Sequence, residues 1–297
     1  MEFRVSATSA NLGPGFDCLG IAWQLYDTIG FSESDRVEVL GCEPRYAGPD
    51  NLACRAFLLA AREGGITPKG IRVEFGKTDI PVARGLGSSA ALPVAGVLAA
   101  DSLLGLRMTA GDALRIAAKL EGHPDNAAPA LLGGMTSCCT EEGRILCVPC
   151  AVHPGLCFTA LIPDTPLSTA KARAVLPESV SREDAVYNVS HTALLLHALR
   201  EGDTELLRCA MRDRLHQPYR APLIPLRGPA AALAERHGAA FCVSGAGPTM
   251  LCVSASPAEA ERLRAEAHTL FPAWNILPLV PEPTGAFARY SNDRRDI

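Results

Sequence analysis

Residues 81–91 read PVARGLGSSAA. Ahead of them, Ile71–Phe75 alternates apolar and polar side chains, the period of a half-buried strand. Behind them, a run of small residues from Ser88 to Leu106 reads as a helix. Pro93 is expected near the first turn of that helix, where a missing N–H matters least. A glycine-rich loop between a strand and a helix is a natural anion site. Gly85 and Gly87 permit positive φ and let backbone approach a ligand. The helix start presents unpaired N–H groups and a positive dipole end. The hydroxyls of Ser88 and Ser89 suit phosphate oxygens or Mg²⁺, so the stretch reads as a triphosphate cradle. It is not a Walker A loop, because no Lys-Ser or Lys-Thr follows the glycines, and it lacks the third glycine of a dinucleotide fingerprint.

Outward from this loop the chain mixes strands and helices without a regular alternation. Phe3–Thr8 predicts a strand that ends in a turn-rich segment, Ser9–Gly15, and Arg36–Leu40 predicts another. A helix is expected over Asn51–Arg62, closed by Gly64 and Gly65, and a second over Thr109–Leu120 with Thr109 as N-cap. Gly134–Pro149 reads as a hairpin turning at Glu141-Glu142-Gly143. Later come a strand at Leu156–Ile162 and helices at Ser168–Leu176, Asp184–Leu199, Thr204–Arg212, Pro229–His237 and Pro257–Leu270. Short strands at Ala240–Val243 and Thr249–Val253 flank a tight SGAGP loop, and Ile276–Leu279 reads as a last strand. This order argues for an α+β fold in two lobes. We place the boundary near Pro154, giving lobes 1–153 and 154–297.

Composition narrows the function classes. With 48% hydrophobic and 20% charged residues, the 297-residue chain has the balance of a folded protein. A net charge of −4 gives no basic face for nucleic acid, so any phosphate site must be local. The N-terminus has no signal-like apolar run, and no stretch approaches the roughly 20 apolar residues of a membrane span. A cytoplasmic protein without a membrane partner is the expectation. The 11 cysteines are odd in number. Cys157, Cys242 and Cys252 sit among apolar residues and read as buried thiols. Cys147 and Cys150 form a C-x-x-C with no second pair, and we read them the same way.

Three segments together resemble a known family. PVARGLGSSAA is similar to the P-x-x-x-G-L-G-S-S-A motif of the GHMP kinases. Ser6–Asp17 (SATSANLGPGFD) resembles the N-terminal motif of the homoserine kinases in that family, and Ser244–Thr249 (SGAGPT) resembles its C-terminal glycine motif. The resemblance implies an N-terminal lobe of ribosomal-S5 type, a ferredoxin-like C-terminal lobe, and ATP with Mg²⁺ between them. It assigns the nucleotide to Pro81, Val82, Ala83, Arg84, Gly85, Leu86, Gly87, Ser88, Ser89, Ala90 and Ala91. Asn51 is assigned to the adenine pocket, although an Asn before a helix is also an ordinary N-cap. Lys77 is either a nucleotide contact or an exposed lysine.

The segment Leu120–Asn126, LEGHPDN, is similar to a stretch of the homoserine kinases. By that resemblance Glu121 holds Mg²⁺ with Ser89, which is favoured over Ser88. Asn126 hydrogen-bonds the substrate hydroxyl, or else only caps a helix. STAKARAVLP (168–177) and QPYR (217–220) resemble segments whose arginines hold the substrate carboxylate, here Arg173 and Arg220. Asn11 and Asp17 take the ammonium, with His123 nearby and Gly245 lining the site. Asn126, Glu121, Ser89 and Arg173 form the implied catalytic set. The implied reaction is ATP-dependent phosphorylation of L-homoserine to O-phospho-L-homoserine, a step of threonine biosynthesis, by a chain that forms a homodimer. Other readings stand beside it: a relative acting on threonine, mevalonate or a sugar, an ATP-dependent decarboxylase, or a non-catalytic nucleotide-binding protein.

Overall fold

The computed structural model describes residues 1–293. Its first half contains β1 (Glu2–Asn11), β2 (Gly15–Ser34), β3 (Val37–Leu40), α1 (Leu52–Glu63), β4 (Gly70–Thr78), α2 (Ser88–Leu104), α3 (Ala110–Glu121), α4 (Ala127–Leu132), β5 (Met135–Glu141) and β6 (Arg144–Cys150). The strands form one sheet in the order β3-β4-β2-β5-β6, with β1 also paired to β2, and only β3 and β4 run parallel. The second half contains β7 (Cys157–Ile162), α5 (Thr169–Ala174), α6 (Arg182–Glu201), α7 (Thr204–Ala210), α8 (Gln217–Arg220), α9 (Arg227–Arg236), β8 (Ala240–Val243), β9 (Met250–Ser254), α10 (Pro257–Leu270), β10 (Asn275–Leu279) and α11 (Ala286–Asp293). Its antiparallel sheet has the order β10-β7-β9-β8. Numbered within the lobe that is 4-1-3-2, with helices between the first and second and between the third and fourth strands. This is the ferredoxin-like arrangement the resemblance implied.

The central helix, α2, is buried almost all round, with Ala91, Val94, Val97 and Leu98 inaccessible to solvent. Gly96 lets α1 approach it closely, since a Cβ there would lie 2.2 Å from the Ala53 carbonyl oxygen. Burying each Val or Leu stabilises the fold by about 1.5–3 kcal/mol, so α2 is held firmly and carries the phosphate loop at its N-terminus. Pro93 lies deeper than expected, in the second turn of α2. Its missing N–H leaves the Ser89 carbonyl without its usual intrahelical partner.

Two elements differ from the sequence expectation. Residues 15–34 form the longest strand, yet glycines at 15, 20 and 30 obscure it. Gly20 is there because the Asp125 carbonyl would lie 1.7 Å from a Cβ, a close backbone approach that weakens the strand signal. The chain also continues past β10. Trp23 bridges to Pro281, and α11 returns to pack on the first half, where Tyr290 meets Phe3 with ring centroids 5.6 Å apart. No helix among the described residues is long and apolar enough to cross a membrane.

Candidate active site

The three glycine-bearing segments fold onto one another. Thr8 donates its N–H to the Leu86 carbonyl at 3.1 Å, and Gly245 donates to Ala10 at 3.0 Å. Thr249 donates its N–H to the Arg84 carbonyl at 3.2 Å. The Ser244 hydroxyl lies 2.6 Å from the Gly85 carbonyl and 2.7 Å from the Ser9 hydroxyl. Gly85 and Gly87 both have positive φ, as the loop reading required. Their missing side chains, however, make room for protein rather than ligand. A Cβ on Gly87 would lie 1.9 Å from Thr8 Oγ1, and one on Gly85 would lie 2.5 Å from the Ser244 carbonyl oxygen. The glycines therefore serve the packing that fixes the loop.

This interlock forms the floor of a cleft of about 740 Å³. At one end lies the N-terminus of α2. The Ala90 and Ala91 amides both bond the Gly87 carbonyl. The amides of Ser88 and Ser89, the first residues of the helix, have no intrahelical acceptor, and both residues line the cleft, as do Val82, Ala83, Gly85 and Gly87. The other residues assigned to the nucleotide do not line it. Leu86, Ala90 and Ala91 are core residues. Pro81 lies outside the lining. Arg84 turns away, its guanidinium bonding the Val82, Pro163 and Asp164 carbonyls and so tying the loop to the second lobe. Lys77 pairs with Asp79 at 2.6 Å on the surface.

Beside the helix start, the Ser89 hydroxyl donates to Glu121 Oε1 at 2.8 Å. Glu121 Oε2 is buried without a hydrogen-bond partner among the described residues. Burial pushes the Glu121 carboxyl up to about 7, against the pull of His123 and Ser89. A desolvated carboxylate oxygen beside a hydroxyl is a donor set that fits a hard divalent cation. His123 Nδ1 lies 2.5 Å from Asp125 Oδ1. Burial opposes its charge, yet Asp125 and Glu121 outweigh burial and raise its pKa.

Asn126 precedes α4 but makes no capping bond with its side chain. Its Oδ1 instead accepts the Thr8 hydroxyl at 2.8 Å, which fixes the amide at the cleft wall. Asn51 behaves differently. It caps α1 through Ala53 at 2.9 Å and donates to the Tyr46 carbonyl at 3.0 Å, while also lining the cleft. The neighbouring wall contains Glu43, Tyr46, Phe75 and Ile80, for which the sequence offered no signal. Asp27 stands there too. It accepts the Ile80 N–H at 3.0 Å, and burial pushes its carboxyl up to about 6.

Another stretch of the lining is made of charge. Arg173 grips Asp17 with two hydrogen bonds, at 3.0 and 2.5 Å. Arg220 is 1% exposed, and its bonds go to the carbonyls of Ala172 and Gly245 and to His216 Nδ1. Burial and the nearby Arg173 lower its pKa to about 10. No carboxylate of the described residues touches this guanidinium. Asn11 donates to the Gly245 carbonyl at 2.8 Å and accepts the Asp17 N–H at 3.0 Å, so its amide sets the Asp17 turn. Residues from both lobes thus converge on the cleft, including Asn11, Asp17, His123, Asn126, Arg173, Arg220 and Gly245. Two more participants escaped the sequence reading. Thr8 lies in a run of small polar residues, and Asp125 was quoted only within LEGHPDN with no role, although its spacing from His123 was available.

An α2 N-terminus over a carboxylate–hydroxyl pair, in a cleft lined by the mixed-sheet lobe and the ferredoxin-like lobe, has the parts that a small-molecule phosphotransferase needs. The pattern of the GHMP kinases N terminal domain matches residues 51–134, and that of the GHMP kinases C terminal matches 195–273. The chain belongs to the GHMP kinases. Within them its relatives are homoserine kinases. One from Clostridium botulinum is 39% identical and aligns over 96% of this chain and 97% of its own length. One from Deinococcus radiodurans is 47% identical over 84% of this chain and 82% of its own. The crystal structure of homoserine kinase from Cytophaga hutchinsonii superposes with a TM-score of 0.85 at 30% identity, covering 96% of each chain. The L. major mevalonate kinase, at 15% identity and a TM-score of 0.72, shares the fold.

Proposed function

We propose that this protein transfers the terminal phosphoryl group of ATP to the side-chain hydroxyl of L-homoserine, giving O-phospho-L-homoserine. The observation that carries the substrate is the opposed charge beyond Asn126. Arg173 and Arg220 offer fixed cations to an α-carboxylate, and Asp17 offers a carboxylate to the α-ammonium. A zwitterion meets both demands at once, whereas mevalonate or a sugar brings no cation to Asp17, which would then stay paired with Arg173 alone. Asn11 and Gly245 are positioning groups for that end. Residues on both sides of the proposed boundary near Pro154 supply the walls, while α11, beyond that boundary, packs back on the first lobe.

The Ser88 and Ser89 amides and the helix dipole receive the phosphates. Glu121 and Ser89 would hold Mg²⁺, which neutralises charge on the transferred phosphoryl group. Asn126, fixed by Thr8, orients the attacking hydroxyl. No strong base is required, because the loose transition state places little demand on deprotonation and catalysis is mostly positioning and charge neutralisation. A coupled ADP-release assay across homoserine, threonine and mevalonate, with and without EDTA, tests the proposal. It predicts Mg²⁺-dependent turnover that is fastest with homoserine. Faster turnover of mevalonate or threonine would reject the substrate and leave the family intact.

A further inference from the structure

A pair of thiols lies outside everything the kinase reading uses. In the β5–β6 hairpin Cys138 stands directly opposite Cys147. Their sulfurs are 2.9 Å apart, with Cys138 as donor. Cys138 is 3% exposed, while Cys147 is half-buried and open to solvent. Neither lines the cleft. Cys150, the other member of the C-x-x-C, stands opposite Met135. The partner of Cys147 therefore comes from the facing strand.

Geometry favours a covalent bond between them. Residues facing each other across antiparallel strands hold their Cβ atoms about 4.5–5.5 Å apart, close to the roughly 3.5–4.5 Å of a disulfide. Going from 2.9 Å to a bonded separation of about 2.05 Å is a further approach of about 0.9 Å. The two thiols are also chemically unequal. The bond to Cys147 and then burial push the Cys138 thiol up, whereas donation from Cys138 draws Cys147 down, against burial. Cys147 is thus the thiol that meets solvent and the one its neighbour draws toward ionisation, and Cys138 is a buried resolving thiol beside it.

We propose that Cys138 and Cys147 are a reversible oxidation site for hydroperoxides, closing to a disulfide that staples the edge hairpin. The Cys147 thiolate attacks one peroxide oxygen. The O–O bond breaks, Cys147 becomes a sulfenic acid, and the departing hydroxide takes up the thiol proton as water. The Cys138 sulfur then attacks the sulfenic sulfur, the S–O bond breaks, and a second water leaves with the Cys138 proton. Two thiols and one hydrogen peroxide give one disulfide and two waters. The thiols lose two electrons and the peroxide gains them. An external dithiol reverses the change.

The hairpin is a place where such a staple matters. β6 is an edge strand, with Leu146 52% and Val148 58% exposed. Its inner face, Ile145, Cys147 and Cys150, is only partly buried against the core, and an edge strand of this kind belongs to the segments that open locally at lower cost than the core. A bond across the hairpin restrains that opening and leaves the cleft alone.

The test treats the full-length protein with graded hydrogen peroxide, alkylates the remaining thiols, and maps tryptic peptides by mass. Cleavage after Arg144 separates the two cysteines, so a link joins two peptides. The expected result is loss of two alkylation sites and about 2 Da, with a Cys138–Cys147 link that dithiothreitol removes. Turnover should stay within about twofold, and β6 amides should exchange at least about tenfold more slowly. Cys147→Ser should abolish the link, while Cys150→Ser should form it like the parent. A first link through Cys139, Cys150 or Cys18 overturns the proposal. So does oxidation of other thiols while Cys138 and Cys147 still alkylate. Cys18 is an informative alternative, because it follows Asp17 and its sulfur lies 3.4 Å from the Ser137 hydroxyl. Capture there would lower turnover.

Discussion

The two ends of the cleft are built from different materials. The end proposed for the phosphates is backbone. Its loop is clamped by hydrogen bonds among three segments, and Arg84 within the loop and Lys77 just before it bond elsewhere. The substrate end is side chain, a group of arginines, carboxylates and a histidine partly buried together. A backbone cradle binds any phosphate chain of the right shape. Fixed charges choose the molecule that receives the phosphoryl group. Substitutions at the first end should therefore act on turnover or folding, and those at the second on substrate affinity.

The largest effect should come from the bridge between the ends. Glu121→Ala removes the orphaned oxygen that suits Mg²⁺, and kcat should fall on the order of 100-fold, as when one preorganised electrostatic group is lost. Excess Mg²⁺ should recover part of it. A near-normal rate would make Glu121 structural. Next is Arg220→Leu, which strips donors from Ala172, Gly245 and His216. The Gly245 carbonyl keeps its bond from Asn11, but each buried acceptor left unpaired costs about 1–3 kcal/mol. A lower melting temperature should accompany a higher homoserine KM, and thermal unfolding measured beside kinetics separates the two. A variant as stable as the parent would mean these bonds contribute nothing.

Thr8→Val sharpens the comparison, since it is nearly isosteric yet frees Asn126. One hydrogen bond is worth about 1 kcal/mol, so kcat should drop about fivefold with the ATP KM little changed. An unaltered kcat would show that Asn126 needs no fixing. The smallest effect belongs to Arg84→Ala. It cuts the tie between the loop and the second lobe and should lower stability by about 1 kcal/mol, with kcat within about twofold. A large rise in the ATP KM would return Arg84 to the nucleotide site.

The same contrast explains what the sequence disclosed. The phosphate end is contiguous, so glycine, serine and a helix start announce it within a few residues. Even there the reason for the glycines was misassigned, because Thr8 and Ser244 approach from distant parts of the chain. The charged end is assembled from segments far apart. Arg173 and Asp17 are separated by 156 residues, and without the family resemblance nothing local distinguishes Arg173 from a surface arginine. Strand β2 was hidden by glycines that serve a neighbouring backbone, and α11 follows what reads as a final strand. The Cys138–Cys147 pair was invisible for a related reason. Sequence spacing pointed to Cys150, while strand pairing chose Cys138.

The substrate end is proposed as a charge-matched receptor for an amino acid, and Arg173→Leu tests this most directly. Arg173 is half-buried and, among the described side chains, hydrogen-bonds only Asp17, so its loss should leave the fold intact. Removing one arm of a partly buried charge pair costs about 2–5 kcal/mol. The low end is appropriate to this exposure, and about 2 kcal/mol corresponds to roughly 30-fold in affinity. Steady-state kinetics with each substrate varied in turn should show the homoserine KM rising about 30-fold, with the ATP KM within about twofold. A rise confined to ATP, or no change in either constant, would contradict the account.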